Sequence, residues 1–178
     1  MKSTIEDKTK LVNSVFSKVY KKYDLMNDIM SLGIHRIWKS KLIDWMNPQL
    51  NENLIDVASG TGDIARLFSK KNNNSAQITC VEPNDEMRSA GKSNLESFKN
   101  IKWHKAKAEK LPFKNDTYNF YTISYGIRNV SDINLSLKEA LRVLKPGGRF
   151  MCLEFSKIDN EVINLLYQKY SKIIPIVG

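Results

Sequence analysis

A glycine-rich run between a β-like stretch and a helix-like stretch is the feature that most constrains how this chain can fold. The run Asp56-Val57-Ala58-Ser59-Gly60-Thr61-Gly62-Asp63 follows the β-like residues 53–55 and precedes the helix-like residues 64–71. Glycine has no Cβ and adopts positive φ, so the chain can turn sharply there and expose bare backbone to a ligand. A strand that passes through such a turn into a helix is typical of nucleotide-like cofactor sites in α/β proteins.

Two kinds of cofactor are compatible with this turn. The segment Gly60-x-Gly62-x-x-Ala65 fits the dinucleotide pattern G-x-G-x-x-G/A. A pyrophosphate, however, would be repelled by Asp56 and Asp63, whereas the ammonium and sulfonium of S-adenosylmethionine would be attracted. Glu82 ends the next strand-like stretch and is a candidate acceptor for both ribose hydroxyls. The three acids favour an adenosylmethionine site, and the alternative without function is a tight turn with solvated aspartate caps.

Strand-like and helix-like stretches alternate along residues 49–178, which predicts one α/β domain with a doubly wound, mainly parallel sheet. The strand-like segments are residues 53–58, 77–82, 101–105, 118–124 and 149–154, and the helix-like segments are residues 62–71, 84–96 and 132–144. Asn84 and Asp132 are favourable N-caps, and Lys145-Pro146-Gly147-Gly148 predicts a helix stop and a turn.

Residues 1–48 predict an N-terminal helical cap that belongs to the same domain. Apolar residues recur at helical spacing from Leu11 to Tyr23, and a second amphipathic helix is predicted from Arg36 to Met46. In this second helix we expect the following residues to face inward: Ile37, Trp38, Leu42, Trp45 and Met46. A further helix-like stretch, residues 161–174, is expected to cover the fifth strand or to lie on lipid.

Charge and cysteine content narrow the class of partner. The formal net charge is +9, but the lysines are dispersed and no base-stacking aromatic pattern accompanies them. This favours a solvated basic surface over an anionic lipid surface, and we expect no nucleic-acid partner.

Cys80 and Cys152 lie in apolar strand-like runs without metal-ligand spacing. They predict two buried thiols, no metal site and a reducing compartment.

Longer motifs extend from about Val15 to the end of the chain. The most specific are residues 23–36 (YDLMNDIMSLGIHR), followed by Trp38-Lys39, and Gly126-Ile127-Arg128-Asn129-Val130. Ala108-Glu109-x-Leu111-Pro112-Phe113 and the run from Arg142 to Gly148, followed by Leu153-Glu154-Phe155-Ser156, accompany them. Together these motifs resemble the signature of the ubiquinone/menaquinone biosynthesis C-methyltransferases.

This resemblance implies a class I methyltransferase fold, which is Rossmann-like, with strand order 3-2-1-4-5-7-6 and S-adenosylmethionine as methyl donor. The implied reaction is C-methylation of a polyprenylated benzoquinol, of demethylmenaquinol, or of both. The family's cofactor contacts fall on Thr61, Glu82, Lys107, Ala108 and Ser124. Asp56, Gly60 and Gly62 are added to the cofactor-binding set from the turn and its charges.

The sequence departs from the family pattern in four places. Ser59 stands in place of a common glycine, Glu82 in place of aspartate, and Lys107 in place of asparagine or aspartate. The family pattern also continues beyond Gly178, so we expect strands six and seven to be missing. These departures leave two functional hypotheses: an active C-methyltransferase, and a truncated, non-catalytic member that binds cofactor or serves as a scaffold.

Three residues are candidate catalytic groups for methylation of a ring carbon. The carbon becomes nucleophilic when a neighbouring quinol hydroxyl loses its proton, so the enzyme must align donor and acceptor and stabilise a phenolate. We expect Arg128 to lower the quinol pKa, Asn129 to hold the ring oxygen and Tyr23 to relay a proton. Alternatively, Arg128 pairs with a carboxylate at the sheet edge and Tyr23 is a core residue. His35 and His104 are expected to be structural.

The acceptor implied by the resemblance carries a long isoprenoid tail. We therefore expect a cytoplasmic protein that also makes peripheral contact with the surface of the inner membrane. The assemblies that we expect are a biosynthetic complex or a homodimer.

Overall fold

Four helices and five strands alternate in the computed structural model, which describes residues 33–155. The helices are α1 (Ile34–Met46), α2 (Asp63–Lys71), α3 (Asp85–Asn94) and α4 (Ile133–Val143). The strands are β1 (Leu54–Val57), β2 (Ile78–Val81), β3 (Ile101–His104), β4 (Tyr118–Ser124) and β5 (Leu144–Leu153), and a 3₁₀ turn (Ile127–Asn129) follows β4. The predicted helices at residues 11–23 and 161–174, and Tyr23, lie outside the described residues.

The five strands form one parallel sheet in the order β3-β2-β1-β4-β5. This confirms the predicted doubly wound class and the first five positions of the predicted strand order. All residues of β1 and β2 are buried, as parallel strands covered on both faces require. The strand order reverses between β1 and β4, which is where open α/β sheets bind ligands.

Two helices begin at the predicted caps. The Asn84 side chain accepts a hydrogen bond from the Met87 backbone N–H at 2.9 Å, and the Asp132 side chain accepts one from Leu135 N–H at 3.0 Å. These bonds satisfy N–H groups that a helix start otherwise leaves without partners. No membrane-spanning helix, long and apolar enough for that role, occurs within residues 33–155.

The Lys-Pro-Gly-Gly segment lies inside β5 and does not precede it. Tyr118 pairs with Leu144 and Phe120 pairs with Arg149, so β5 carries extra residues between these two pairs. The extra residues form a bulge, in which Gly147 adopts φ 80°. The predicted helix stop is confirmed, since α4 ends at Val143, but the strand begins five residues earlier than the predicted start at 149.

The buried face of α1 differs from the predicted one. Leu42 and Met46 are buried as predicted, but Ile37 is 59% exposed, Trp38 40% and Trp45 74%. The helix packs against α2 and β5 through the stripe His35, Lys39, Leu42, Ile43 and Met46. Two members of this stripe are polar, so apolar periodicity alone selected the wrong side of the helix.

The cysteine prediction is half right. Cys80 is buried in β2, whereas Cys152 is exposed on β5. The apolar run around Cys152 predicts a buried strand. Among the described residues, however, β5 is the last strand of the sheet, and its side chains are only partly covered.

Candidate functional site

Two adjoining cavities open at the carboxyl edge of the sheet, beside the reversal of strand order. The larger lies between the glycine turn, the end of β2 and residues 124–131. The smaller lies between the glycine turn and α1. They have four lining residues in common: Ala58, Gly60, Ser124 and Tyr125. One elongated ligand could therefore extend from one cavity into the other.

The structure brings most of the predicted site residues to these cavities. The larger cavity is lined by Gly60, Glu82, Lys107, Ala108, Ser124 and Asn129, and the smaller by Asp56, Gly60, Thr61 and Ser124. Gly62 and Arg128 line neither of them. Gly62 is the N-cap of α2, with φ 89°, and a Cβ there would lie 2.5 Å from a methyl group of Leu95. This glycine serves the close packing of α2 against the core.

Glu82 holds the glycine turn against the loop that follows β2. Its Oε2 accepts a hydrogen bond from Gly60 N–H and its Oε1 accepts one from Asn84 N–H, both at 2.9 Å. Burial raises the pKa of Glu82, although the two backbone hydrogen bonds act in the opposite direction. Each carboxylate oxygen has a further lone pair, so both could still accept from ribose hydroxyls.

Asp56 is buried beneath the glycine turn, with 1% of its surface exposed. Its Oδ1 accepts a hydrogen bond from the Thr122 hydroxyl at 2.7 Å, while its Oδ2 has no partner among the described residues. Burial raises the pKa of this carboxyl to about 7. The Ser124 hydroxyl oxygen is also buried without a hydrogen-bond partner in the described part of the chain. Buried polar atoms without partners are costly, so these two atoms indicate a ligand that would satisfy them.

Asp63 is already neutralised, which corrects the charge argument drawn from the sequence. Lys39 of α1 places its Nζ 2.7 Å from Asp63 Oδ2, and Arg66 lies 3.4 Å from Oδ1. Burial by itself would raise the pKa of Asp63. The charge and hydrogen bond of Lys39, together with those of Arg66, outweigh burial and hold that pKa below its usual value. The unneutralised acids at the turn are therefore Asp56 and Glu82.

Lys39 is a site residue that sequence reasoning missed. It is 7% exposed and lines the smaller cavity, 24 residues before its partner Asp63. The family motif contains this lysine, in Trp38-Lys39, but assigned it no role, and its position on the helix was a second signal. Lys39 shares the helical stripe of Leu42 and Met46, and a lysine on a buried stripe needs an anionic partner.

The catalytic candidates separate in the structure. Asn129 faces the larger cavity, whereas the Arg128 guanidinium lies 2.8 Å from Glu154 Oε1 and 5.4 Å from the centre of the Phe155 ring. This is the ion pair at the sheet edge that the sequence left open as an alternative. The catalytic roles of Arg128, Asn129 and Tyr23 stay predictions.

The two histidines make different contacts. His35 is buried at the start of α1, and the His104 ring packs edge-on against Phe113 with ring centres 5.0 Å apart. Neither residue lines the two cavities at the sheet edge.

Strained backbone marks the point where the cavities meet. Ala58 and Tyr125 adopt φ 52° and 55° at the ends of β1 and β4. Only glycine adopts such angles without cost, and strain of this kind clusters at functional sites. Gly126 lies so close to Ala58 that a Cβ at position 126 would be 2.6 Å from the Ala58 Cβ.

We expect Gly126→Ala to destabilise the protein by about 1–3 kcal/mol, because two backbone-fixed methyl groups would overlap. Urea unfolding of the two proteins measures the difference. The matched control is the double variant Ala58→Gly/Gly126→Ala, which removes the other methyl group and should recover most of the loss. A double variant as unstable as Gly126→Ala would show that the contact between residues 58 and 126 is not the cause.

Comparison with solved structures shows the fold. An S-adenosylmethionine-dependent methyltransferase from Thermotoga maritima superposes with a TM-score of 0.65 at 22% identity, covering 88% of this chain and 67% of that chain. A second one, from Aquifex aeolicus, has a TM-score of 0.62 at 17% identity, covering 74% of this chain and 78% of that chain. These likenesses show the Rossmann-like methyltransferase fold.

Sequence comparison then shows the family. The sequence model of the ubiE/COQ5 methyltransferase family matches residues 2–178, so the chain belongs to that family. A protein of Rickettsia massiliae (strain Mtu5), named ubiquinone/menaquinone biosynthesis C-methyltransferase UbiE, is 51% identical over 175 residues, or 94% of this chain and 70% of the relative. The protein of the same name from Rickettsia bellii (strain OSU 85-389) is 50% identical, over 97% of this chain and 72% of the relative. The predicted family, enzyme class and cofactor are thereby confirmed: the protein is an S-adenosylmethionine-dependent methyltransferase.

The residues at the sheet edge fit this cofactor. The buried oxygens of Asp56 and Ser124 lack hydrogen-bond donors. S-adenosylmethionine carries an ammonium and hydroxyls that could donate to them. At Gly60 a Cβ would lie 3.2 Å from Met87 Cε, so a larger residue would narrow the cradle. Glu82 and Ala108 would hold the adenosine end in the larger cavity, and Asp56 would hold the amino-acid end in the smaller one.

Proposed function

We propose that the protein methylates a ring carbon of a polyprenylated benzoquinol, of demethylmenaquinol, or of both. The observation that carries this proposal is the 50–51% identity with proteins named for ubiquinone and menaquinone biosynthesis, over 94–97% of this chain. The larger cavity supports it, because its wall extends beyond the glycine turn to Asn129 and Val130.

The chemistry divides between cofactor and protein. When bound, the cofactor supplies an electrophilic methyl group on a sulfonium. The protein must present the acceptor ring on the side of the glycine turn and promote loss of a quinol proton. In this proposal Asn129 orients a ring oxygen in the larger cavity. The guanidinium of Arg128 stabilises the negative charge that develops on the ring oxygen.

The experiment that tests this proposal supplies methyl-labelled S-adenosylmethionine together with a reduced quinol. Two acceptors are compared: a demethylated benzoquinol and demethylmenaquinol, each with a short isoprenoid tail. We expect label in the quinone fraction with at least one of them, and none with the oxidised quinones, because only the quinol can form a phenolate. If the protein binds cofactor but transfers no methyl to either quinol, the non-catalytic hypothesis replaces this one.

We also propose that the protein works at a membrane surface. The main support is the apolar tail of the proposed acceptor, and a net charge of +9 would add attraction to anionic lipid. Co-sedimentation with vesicles tests the idea. Binding to anionic vesicles that weakens with salt is the expected result, and equal recovery in the supernatant with and without vesicles would contradict it.

A further inference from the structure

The smaller cavity contains a set of charges that the proposed reaction does not use. Its wall carries two carboxylates, Asp56 and Asp63, and one ammonium, Lys39. The amino-acid end of the methyl donor carries the complementary pair, one ammonium and one carboxylate. The cavity adjoins the glycine turn and is continuous with the larger cavity through Ser124 and Tyr125.

Asp56 shows that this cavity is a binding site and not merely an ion pair beside a turn. The residue lines the cavity and is 1% exposed, and its Oδ2 lacks any hydrogen bond within the described residues. A buried carboxylate oxygen in this state is stabilised by a cationic donor. The ammonium of the methyl donor is such a group.

We propose that Lys39 leaves Asp63 when the methyl donor binds and instead holds the donor's carboxylate, so that the cap helix α1 recognises the amino-acid end of the cofactor. The lysine has a long flexible stem, so its ammonium can shift between two nearby anions while α1 stays in place. The positive end of the α2 dipole, which begins at Asp63, also favours a carboxylate there.

The exchange does not leave Asp63 without a cation. Arg66 lies 3.4 Å from Asp63 Oδ1, on the other oxygen from the one that Lys39 contacts. After the exchange Asp63 would retain Arg66 and could accept from the donor's ammonium together with Asp56. Every charge in the smaller cavity then has an opposite partner, which is the condition for a buried ionic cluster to be stable.

Calorimetric titration with two donors tests the proposal. One is S-adenosylmethionine, and the other is its decarboxylated analogue, which keeps the ammonium and the sulfonium but lacks the carboxylate. We expect the wild-type protein to bind the first about tenfold more tightly, the value of one charge-assisted hydrogen bond. In Lys39→Met that preference should disappear, and in Lys39→Arg it should persist.

Two outcomes would overturn the proposal. One is a wild-type protein that binds both donors equally. The other is a Lys39→Met protein that loses affinity for both donors by the same factor, since Lys39 would then only fasten α1 to α2. Should Lys39→Met fail to fold, Lys39→Gln replaces it, because its neutral amide can still donate a hydrogen bond to Asp63 but carries no charge for the donor's carboxylate. The preference should fall in this variant, and an unchanged preference would overturn the proposal.

These measurements depend on the cofactor and not on the acceptor. A protein that prefers the carboxylated donor but methylates no quinol would refute the proposed function and leave the role of Lys39 intact. Methyl transfer to a quinol by a protein that binds both donors equally would refute the role of Lys39 and leave the proposed function intact.

Discussion

Replacing Asp56 with asparagine should stabilise the cofactor-free protein more at pH 8 than at pH 5, by a difference of about 2–3 kcal/mol. Burial raises the pKa of this carboxyl from 3.8 to about 7, since its solvation is lost and only Thr122 and Lys39 compensate. Asp63 and Glu82 raise the pKa further. Between these two pKa values the unfolded chain is ionised while the folded protein is not, so stability falls as the pH rises from 4 to 7.

Asparagine avoids this cost because it is neutral in both states, and its Oδ1 can still accept from Thr122. Urea unfolding of both proteins between pH 5 and pH 8 measures the difference. The matched control is Asp44→Asn, an exposed carboxylate on α1 whose ion pair with Lys71 is worth little. A stability difference that does not change with pH would contradict the assignment of a raised pKa to Asp56.

The same substitution should weaken cofactor binding. An amide cannot neutralise the donor's ammonium, so we expect the affinity of Asp56→Asn for S-adenosylmethionine to fall at least tenfold, by about 1.4 kcal/mol or more. In the wild-type protein the affinity should decrease as the pH falls below 7, because the carboxyl must lose its proton to bind a cation. Calorimetry in two buffers with different heats of ionisation would detect the released proton. Asp56 therefore lowers the stability of the cofactor-free protein and strengthens the binding of the cofactor.

Replacing Arg128 with alanine should lower kcat by about 100-fold, the usual effect of removing one donor that stabilises a developing anion. The free energy of unfolding should change by less than about 1 kcal/mol, because the Arg128 side chain is 47% exposed and its ion pair is screened by water. Steady-state kinetics with the quinol that proves to be the acceptor, together with urea unfolding, separate the two effects.

The control for this variant is Glu154→Gln, which removes the partner's charge but leaves the arginine. If Arg128 acts on the substrate, Glu154→Gln should retain most of the activity. Equal losses in the two variants would mean that the arginine acts only by holding Glu154 and the adjoining Phe155. Full activity of Arg128→Ala would remove this residue from the mechanism.

Local sequence was sufficient to predict most of the helices and strands and the caps of two helices. The strand at residues 118–124 and the caps Asn84 and Asp132 were predicted and are confirmed. Each depends on interactions within a few residues: alternation along a strand, or one side chain bonded to a backbone N–H three positions later. The family motifs are local too, and this is why the enzyme class and the cofactor could be predicted before any coordinate was known.

Electrostatics at the turn depended on residues that are distant in sequence. The sequence shows Asp56, Asp63 and Glu82 as three acids, but α1 brings Lys39 to 2.7 Å from Asp63 and neutralises it. Glu82 is bound by the backbone of Gly60 and Asn84. Of these three acids, only Asp56 retains a buried oxygen without a hydrogen-bond partner among the described residues. Burial raises its pKa to about 7, and no local sequence pattern indicates burial of this kind.

By itself the sequence determined an alternating α/β chain, a glycine turn at the edge of its sheet and membership of a methyltransferase family, because periodicity, caps and motifs are encoded over short stretches. Only the tertiary structure decided which face of α1 is buried, that Ala58 and Gly126 touch, and that Arg128 pairs with Glu154. The last two contacts join residues 26 or more positions apart. Their energies depend on distance and burial, which exist only after the chain has folded.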